Sequence, residues 1–369
     1  MINSQKLLKN IIKNDINFFC GVPDSILKFF SQEIASNKKV KNIITANEGS
    51  SIALAAGYYL SKKKLACVYM QNSGLGNAIN PLSSIVHKKV YSIPMIILIG
   101  WRGANGERDE PQHLVKGKIT KKILSLLGIK FIEVNSVNFS KMNKLINYSK
   151  RHSQPVAFLF RNNIFEKKST NIKIKKNFGI KRNIIINKVL SLVQDNDKLV
   201  STTGFTSREL FQLRNNSEKK DKGKDFYMVG GMGHTSILTL GVSLNTKKKV
   251  ICLDGDGSFF MHLGALNTIG FFGKRNFKHI LFNNGSHESV GGQPTYSENV
   301  NIKNLVLSMG YKYYKKINKK NNINEELKSF LNFPGSSFLE VETSIGSLKN
   351  LIRPKNLIKI RDDFKNSRY

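Results

Sequence analysis

The segment Leu253-Asp254-Gly255-Asp256-Gly257-Ser258 joins an apolar, strand-like run to a helix-like one. Glycines there let the backbone approach a phosphate closely, and the amides opening the helix turn the favourable end of its dipole toward that group. Asp256 would repel a phosphate unless a divalent cation lay between them, and a carboxylate beside a diphosphate suits Mg2+. Alone, the pattern also describes a tight turn with solvated carboxylates. After the 25 residues 258–282, however, comes Asn283-Asn284-Gly285, at the end of the next expected strand. One strand–helix–strand unit sets the two loops side by side at the carboxyl ends of adjacent strands, where open α/β sheets bind ligands. An Asn amide oxygen and the Asp256 carboxylate can then share one cation.

Three further segments carry chemistry-bearing residues. Glu48, in Thr45-Ala46-Asn47-Glu48-Gly49-Ser50-Ser51, stands at a strand end before an Ala-rich stretch, where it is either an acid at a helix start or a proton-transfer group. Gly230-Gly231-Met232-Gly233-His234 sets an apolar side chain in a glycine turn. Thr202-Thr203-Gly204 forms another small-residue loop.

These loops need elements to carry them. Leu7, Leu8, Ile11 and Ile12 mark one helical face, Asn17–Gly21 a strand, and Asp24 or Ser25 the cap of a helix bearing Ile26, Leu27, Phe29 and Phe30. Strands follow at 43–45, 65–70, 94–100, near Phe131 and at 156–160. Helices are expected at 49–60, after Asn77 and, beyond a loop 101–117, at 118–127. Residues 166–182 are polar, basic and aperiodic, which reads as a linker. Beyond it come helices at 183–193, 207–213, 236–244 and 258–271, with strands at 198–201, 250–253, 279–282 and 337–341. Apolar strands alternating with helices predict two doubly wound, parallel-sheet α/β domains, 1–165 and 183–369, with no repetition of sequence between them.

Composition narrows the class. The 369 residues hold 59 Lys+Arg against 25 Asp+Glu, a net charge of +34, with 40% hydrophobic residues, too apolar for a disordered chain. The lysines fall in short runs at expected turns (62–64, 121–122, 247–249, 319–320) with no interleaved aromatics, so no specific nucleic-acid partner is expected. A basic nucleic-acid-binding protein on a retained fold is a remote alternative. Cys20, Cys67 and Cys252 are far apart inside apolar runs, which argues against disulfides or a zinc ribbon. No stretch reaches 18 apolar residues and 1–9 lack a signal-peptide core, so a cytoplasmic protein with no membrane partner is expected.

With Gly255-Asp256-Gly257 and Asn283-Asn284 in place, the sequence resembles the thiamine-diphosphate enzymes. The resemblance implies a pyrimidine-binding domain first and a diphosphate-binding domain second, without a central domain. It implies that Asp256, Asn284 and the Ser286 carbonyl ligate Mg2+, and that the diphosphate lies on Gly255, Asp256, Gly257 and Ser258. Glu48 would bond the aminopyrimidine. Gly230, Met232, Gly233 and His234 would hold the cofactor bent, and Thr203 and Gly204 would flank the diphosphate. The chain is similar to the phosphonopyruvate decarboxylases through Gly21-Val22-Pro23-Asp24-Ser25, Gln71 to Asn77, Asp109-Glu110-Pro111-Gln112-His113 and Asn284 to Thr295; Gly230-Gly231 departs from an expected Gly-Ser. That similarity implies thiamine-diphosphate- and Mg2+-dependent decarboxylation of 3-phosphonopyruvate to phosphonoacetaldehyde and CO2, in phosphonate biosynthesis. Sulfopyruvate or another short 2-oxoacid is the alternative substrate. It also implies a homodimer or larger homo-oligomer with sites at the subunit interface. Glu48, His113 and His287 would be catalytic, the two histidines lying in strand-end loops. His234, Arg102, Arg108 and Lys116 are further candidates for gripping an anionic substrate.

Overall fold

The computed structural model describes residues 1–135, 139–166, 179–216, 224–318 and 322–366. Most of the expected linker, 167–178, and Lys319–Lys320 lie outside them. The chain divides into two units, Met1–Lys173 with Val290–Gln293, and Ile174–Ser289 with Pro294–Tyr369.

The first unit is built on β1 (Phe18–Gly21), β2 (Lys41–Ile44), β3 (Ala66–Gln71), β4 (Ile96–Gly100), β5 (Lys130–Glu133) and β6 (Val156–Phe160), in the order β2-β1-β3-β4-β6-β5. All its pairings are parallel. Parallel strands covered on both faces read as unbroken apolar runs, and the side chains of β3, β4 and β6 alternate between two cores. Cys67, Tyr69, Ile96, Leu98 and Phe158 pack on one face, Val68, Met70, Ile97, Ile99 and Leu159 on the other.

The second unit repeats the architecture with β7 (Lys198–Ser201), β8 (Lys224–Tyr227), β9 (Val250–Gly255), β10 (Phe277–Asn283), β11 (Tyr313–Ile317) and β12 (Ser337–Glu342). Its order, β11-β12-β10-β9-β7-β8, is that of the first sheet, strand for strand. In each unit the first strand lies between the second and the third, so the chain reverses direction across the sheet there, and ligands of such sheets bind at that crevice. The opposite edge is closed by buried lysines. Lys278 Nζ donates to the carbonyls of Phe333 (2.7 Å) and Gly335 (3.0 Å), and Lys198 Nζ to that of Phe364 (2.8 Å). Burial lowers the Lys278 ammonium to about 8.

Several expected boundaries move. The helix assigned to 118–127 starts at Pro111 and runs to Leu126. Pro111 sits in its first turn, where the missing N–H costs nothing. Gly117 stays inside it because a Cβ there would lie 1.6 Å from the Gly103 carbonyl oxygen. The expected helix 258–271 is two, Asp256–Met261 and Ala265–Phe272. The second helix starts at Lys28, and Asp24 accepts the Leu27 N–H just before it (3.0 Å). All three cysteines are free and buried.

Candidate active site

In the first unit, Glu48 is the first residue of helix Glu48–Lys62, which follows β2; the preceding Asn47 caps that helix by accepting the Gly49 N–H at 2.8 Å. Glu48 is buried, and burial raises its carboxyl above the usual range. Asn77, on the helix after β3, donates Nδ2 to Glu48 Oε2 at 2.7 Å and partly offsets that rise. Gly74 leaves the room: a Cβ there would lie 2.3 Å from Glu48 Oε1. Lys116, on the Pro111–Leu126 helix, favours the ionised form of Glu48 electrostatically, while its own burial lowers the ammonium. His113 lies in the first turn of that helix and not in a strand-end loop.

After β4, Arg102 forms a bidentate pair with Asp109, Nε to Oδ2 at 2.7 Å and Nη2 to Oδ1, and Nη1 donates to Ser25 Oγ at 3.2 Å. That pairing holds Asp109 down to about 2, against the cost of its partial burial. Asp24 is fully buried, and that burial raises it to about 6.

In the second unit, the three loops at the carboxyl ends of β7, β8 and β9 converge. Thr202 Oγ1 donates to Ser258 Oγ at 3.0 Å, and the Gly233 N–H donates to the same oxygen at 3.1 Å. Gly257 packs against His287 and Met232, since a Cβ would meet the His287 ring at 2.8 Å and Met232 Cε at 3.3 Å. Gly204 adopts φ +92°, open only to glycine at little cost. Thus Gly204, Met232, Gly233, Gly257, Ser258 and His287 gather at one sheet edge. His234 stacks on His262 (ring centroids 4.5 Å apart).

Asp256 is buried, and burial raises its carboxyl to about 6; Thr295 Oγ1 donates to its Oδ2 at 2.6 Å and the Gly257 N–H to its Oδ1 at 3.0 Å. Asn284 Oδ1 accepts the Ser286 N–H at 3.0 Å, and Ser286 Oγ is buried without a partner. A buried carboxylate with only neutral donors around it, beside an amide oxygen and glycine-lined backbone, fits a divalent cation and a phosphate. His287 is lowered to about 4 by burial, so its imidazole is neutral near pH 7 and acts as an N–H donor or acceptor, not as a cation.

Asn77 and Thr295 lie in the quoted segments, yet nothing in residue type or spacing marks them as partners of Glu48 and Asp256.

Two such domains, one with the buried Glu48 and one with the buried Asp256 and Asn284 beside a glycine-bare helix start, are of the class of the thiamine-diphosphate enzymes. A family model described as thiamine pyrophosphate enzyme, N-terminal TPP binding domain, matches residues 3–122, and the corresponding C-terminal TPP binding domain matches residues 202–341. A phosphonopyruvate decarboxylase of Streptomyces viridochromogenes is 31% identical over 96% of this chain and 92% of its own length. That of Streptomyces hygroscopicus is 30% identical over 96% and 91%. A sulfopyruvate decarboxylase of Methanosarcina acetivorans is 25% identical over 91% and 90%. The chain belongs to the thiamine pyrophosphate enzymes, in the phosphonopyruvate decarboxylase family; its cofactor is thiamine diphosphate.

Proposed function

We propose that the chain decarboxylates 3-phosphonopyruvate, with thiamine diphosphate and Mg2+, to phosphonoacetaldehyde and CO2. The observation that carries this reading is the likeness to two phosphonopyruvate decarboxylases at 31% and 30% identity over 96% of the chain. The cofactor supplies an electron sink for the pair left behind when CO2 departs. The first unit takes the aminopyrimidine and the second the diphosphate.

The chain's own residues do the rest. Glu48, aligned by Asn77 and kept uncharged to higher pH by burial, holds the proton exchanged with the aminopyrimidine nitrogen. Asp256, Asn284 and the Ser286 carbonyl would hold the cation; Thr203, Gly204 and Gly255 to Ser258 would line the diphosphate, and Gly230, Met232, Gly233 and His234 would hold the cofactor bent. His113 and His287 handle substrate protons. Lys116, half-buried and coupled electrostatically to Glu48, is the cation offered to the phosphonate there. Leu114, Val115, Ile119 and Leu126 expose 42, 64, 40 and 87% of their surface along the same helix, which supports a homodimer. Among the described residues no helix is long and apolar enough to cross a membrane, and we place the enzyme in the cytoplasm.

The test is aldehyde and CO2 release from phosphonopyruvate, sulfopyruvate and pyruvate. Turnover of phosphonopyruvate far above the others is expected; preferred turnover of sulfopyruvate, the substrate for which the Methanosarcina relative is named, keeps the mechanism and overturns the substrate.

A further inference from the structure

Behind Asn284 runs a chain of charged groups that lies wholly in the second unit. Asn284 Nδ2 donates to Glu288 Oε2 at 3.2 Å while its Oδ1 accepts the Ser286 N–H. A carboxylate only accepts and a backbone N–H only donates, so the two contacts agree on which end of the amide is oxygen. Glu288 is itself held at both oxygens. Arg182 Nη1 lies 3.4 Å from Oε2, and the Gly346 N–H donates to Oε1. Arg182 is anchored on its far side by Glu209, Nε to Oε2 at 2.8 Å, and Glu209 Oε1 accepts the Leu348 N–H at 2.9 Å. Arg182 is 5% and Glu209 1% exposed.

Two carboxylates on one buried guanidinium are an expensive way to pack a sheet edge. The cluster leaves one surplus negative charge, and its last member grips the amide nitrogen of a cation ligand.

We infer that Glu288 is a positioning residue for the cation site: fixed by Arg182 and the Gly346 N–H, it holds the Asn284 amide so that its oxygen, not its NH2, faces the ion. This rests on the reading that Asp256 and Asn284 hold Mg2+. Without Glu288 the amide can turn over and present two donors to a cation, and ligand-orienting partners of this kind carry roughly 10–100-fold in metal affinity.

The experiment measures thiamine diphosphate retained by the full-length protein in equilibrium dialysis across a Mg2+ series, with free Mn2+ followed by electron paramagnetic resonance. Glu288→Ala is expected to raise the half-saturating Mg2+ roughly 10–100-fold, with cofactor retention recovered at high Mg2+. Glu288→Gln, whose carbonyl still accepts from Asn284, is expected to restore most of the affinity. Glu288→Asp, one methylene too short, behaves like the alanine variant and decides the matter if the alanine variant does not fold. A wild-type Mg2+ requirement in folded Glu288→Ala or Glu288→Asp overturns the inference. Asn284→Ala separates the two readings: if it alone raises the requirement, only the role of Glu288 falls, and if it too changes nothing, the cation site itself is misassigned.

Discussion

The Nδ2 of Asn77 stands 2.7 Å from Oε2 of Glu48, joining the helix after β3 to the helix after β2 through the acid proposed to move the cofactor's proton. The amide of Asn77 can bond either protonation state of that carboxyl. Burial raises the carboxyl above its usual range, and the hydrogen bond keeps the group aimed. Replacing Glu48 by Gln preserves the shape and removes the titration. Glu48→Gln is expected to lower kcat by roughly 10²–10⁴-fold with thiamine diphosphate still bound, measured by steady-state aldehyde release beside calorimetric cofactor titration.

Gly74 offers a test that leaves every polar group intact. A methyl at this position would lie 2.3 Å from Glu48 Oε1 and 2.4 Å from its Cδ, so the carboxyl must move. Gly74→Ala is expected to lower kcat/KM on the order of 10²-fold, since displacement by an ångström costs that much in a positioned site. Gly76→Ala, where a Cβ meets nothing within 4 Å, is the matched control and should behave as wild type.

Asp24 gives the pH prediction. Its carboxyl, fully buried, is raised from 3.8 to about 6. The folded protein therefore holds this proton more tightly than the unfolded chain, and the stability it contributes is present below pH 3.8 and lost as the pH rises to about 6. The loss at pH 8 is about 3 kcal/mol. Asp24→Asn, whose Oδ1 still accepts the Leu27 N–H, should unfold at higher denaturant than wild type at pH 8 and show no such gain at pH 4. An equal gain at both pH values would contradict this origin.

Lys116 separates two roles by substrate. If its ammonium meets the phosphonate, Lys116→Met should lower kcat/KM for phosphonopyruvate roughly tenfold or more and leave pyruvate nearly unaffected. An equal loss on both substrates would mean that it acts only through Glu48.

The parts of this fold that could be read beforehand are those where one physical demand dominates. β3, β4, β6, β9 and β10 are buried on both faces and read as mainly apolar runs, and glycines mark the turns between them. β8 (Lys224–Tyr227) and β11 (Tyr313–Ile317) escaped because they lie at sheet edges, where Lys224, Lys315 and Lys316 interrupt the apolar run. The early start of the Pro111 helix was hidden by Gly117, which reads as a breaker and is instead demanded by the close approach of Gly103. Asp256 and Asn284 were visible because adjacent strands bring their loops together at a fixed spacing. Thr295, whose hydroxyl bonds Asp256 from 39 residues downstream, follows no period that a linear reading can detect.

The two lysines at the closed edge of the second sheet bear on how the enzyme meets amine-reactive reagents. Lys198 is fully buried and Lys278 is 1% exposed, each spending its protons on backbone carbonyls. Among the described lysines, these two are buried and so shielded from acylation while the sheet is closed. Mass-spectrometric footprinting should find them unlabelled in native protein and labelled together once the second unit opens, which makes them a built-in clock for its unfolding rate.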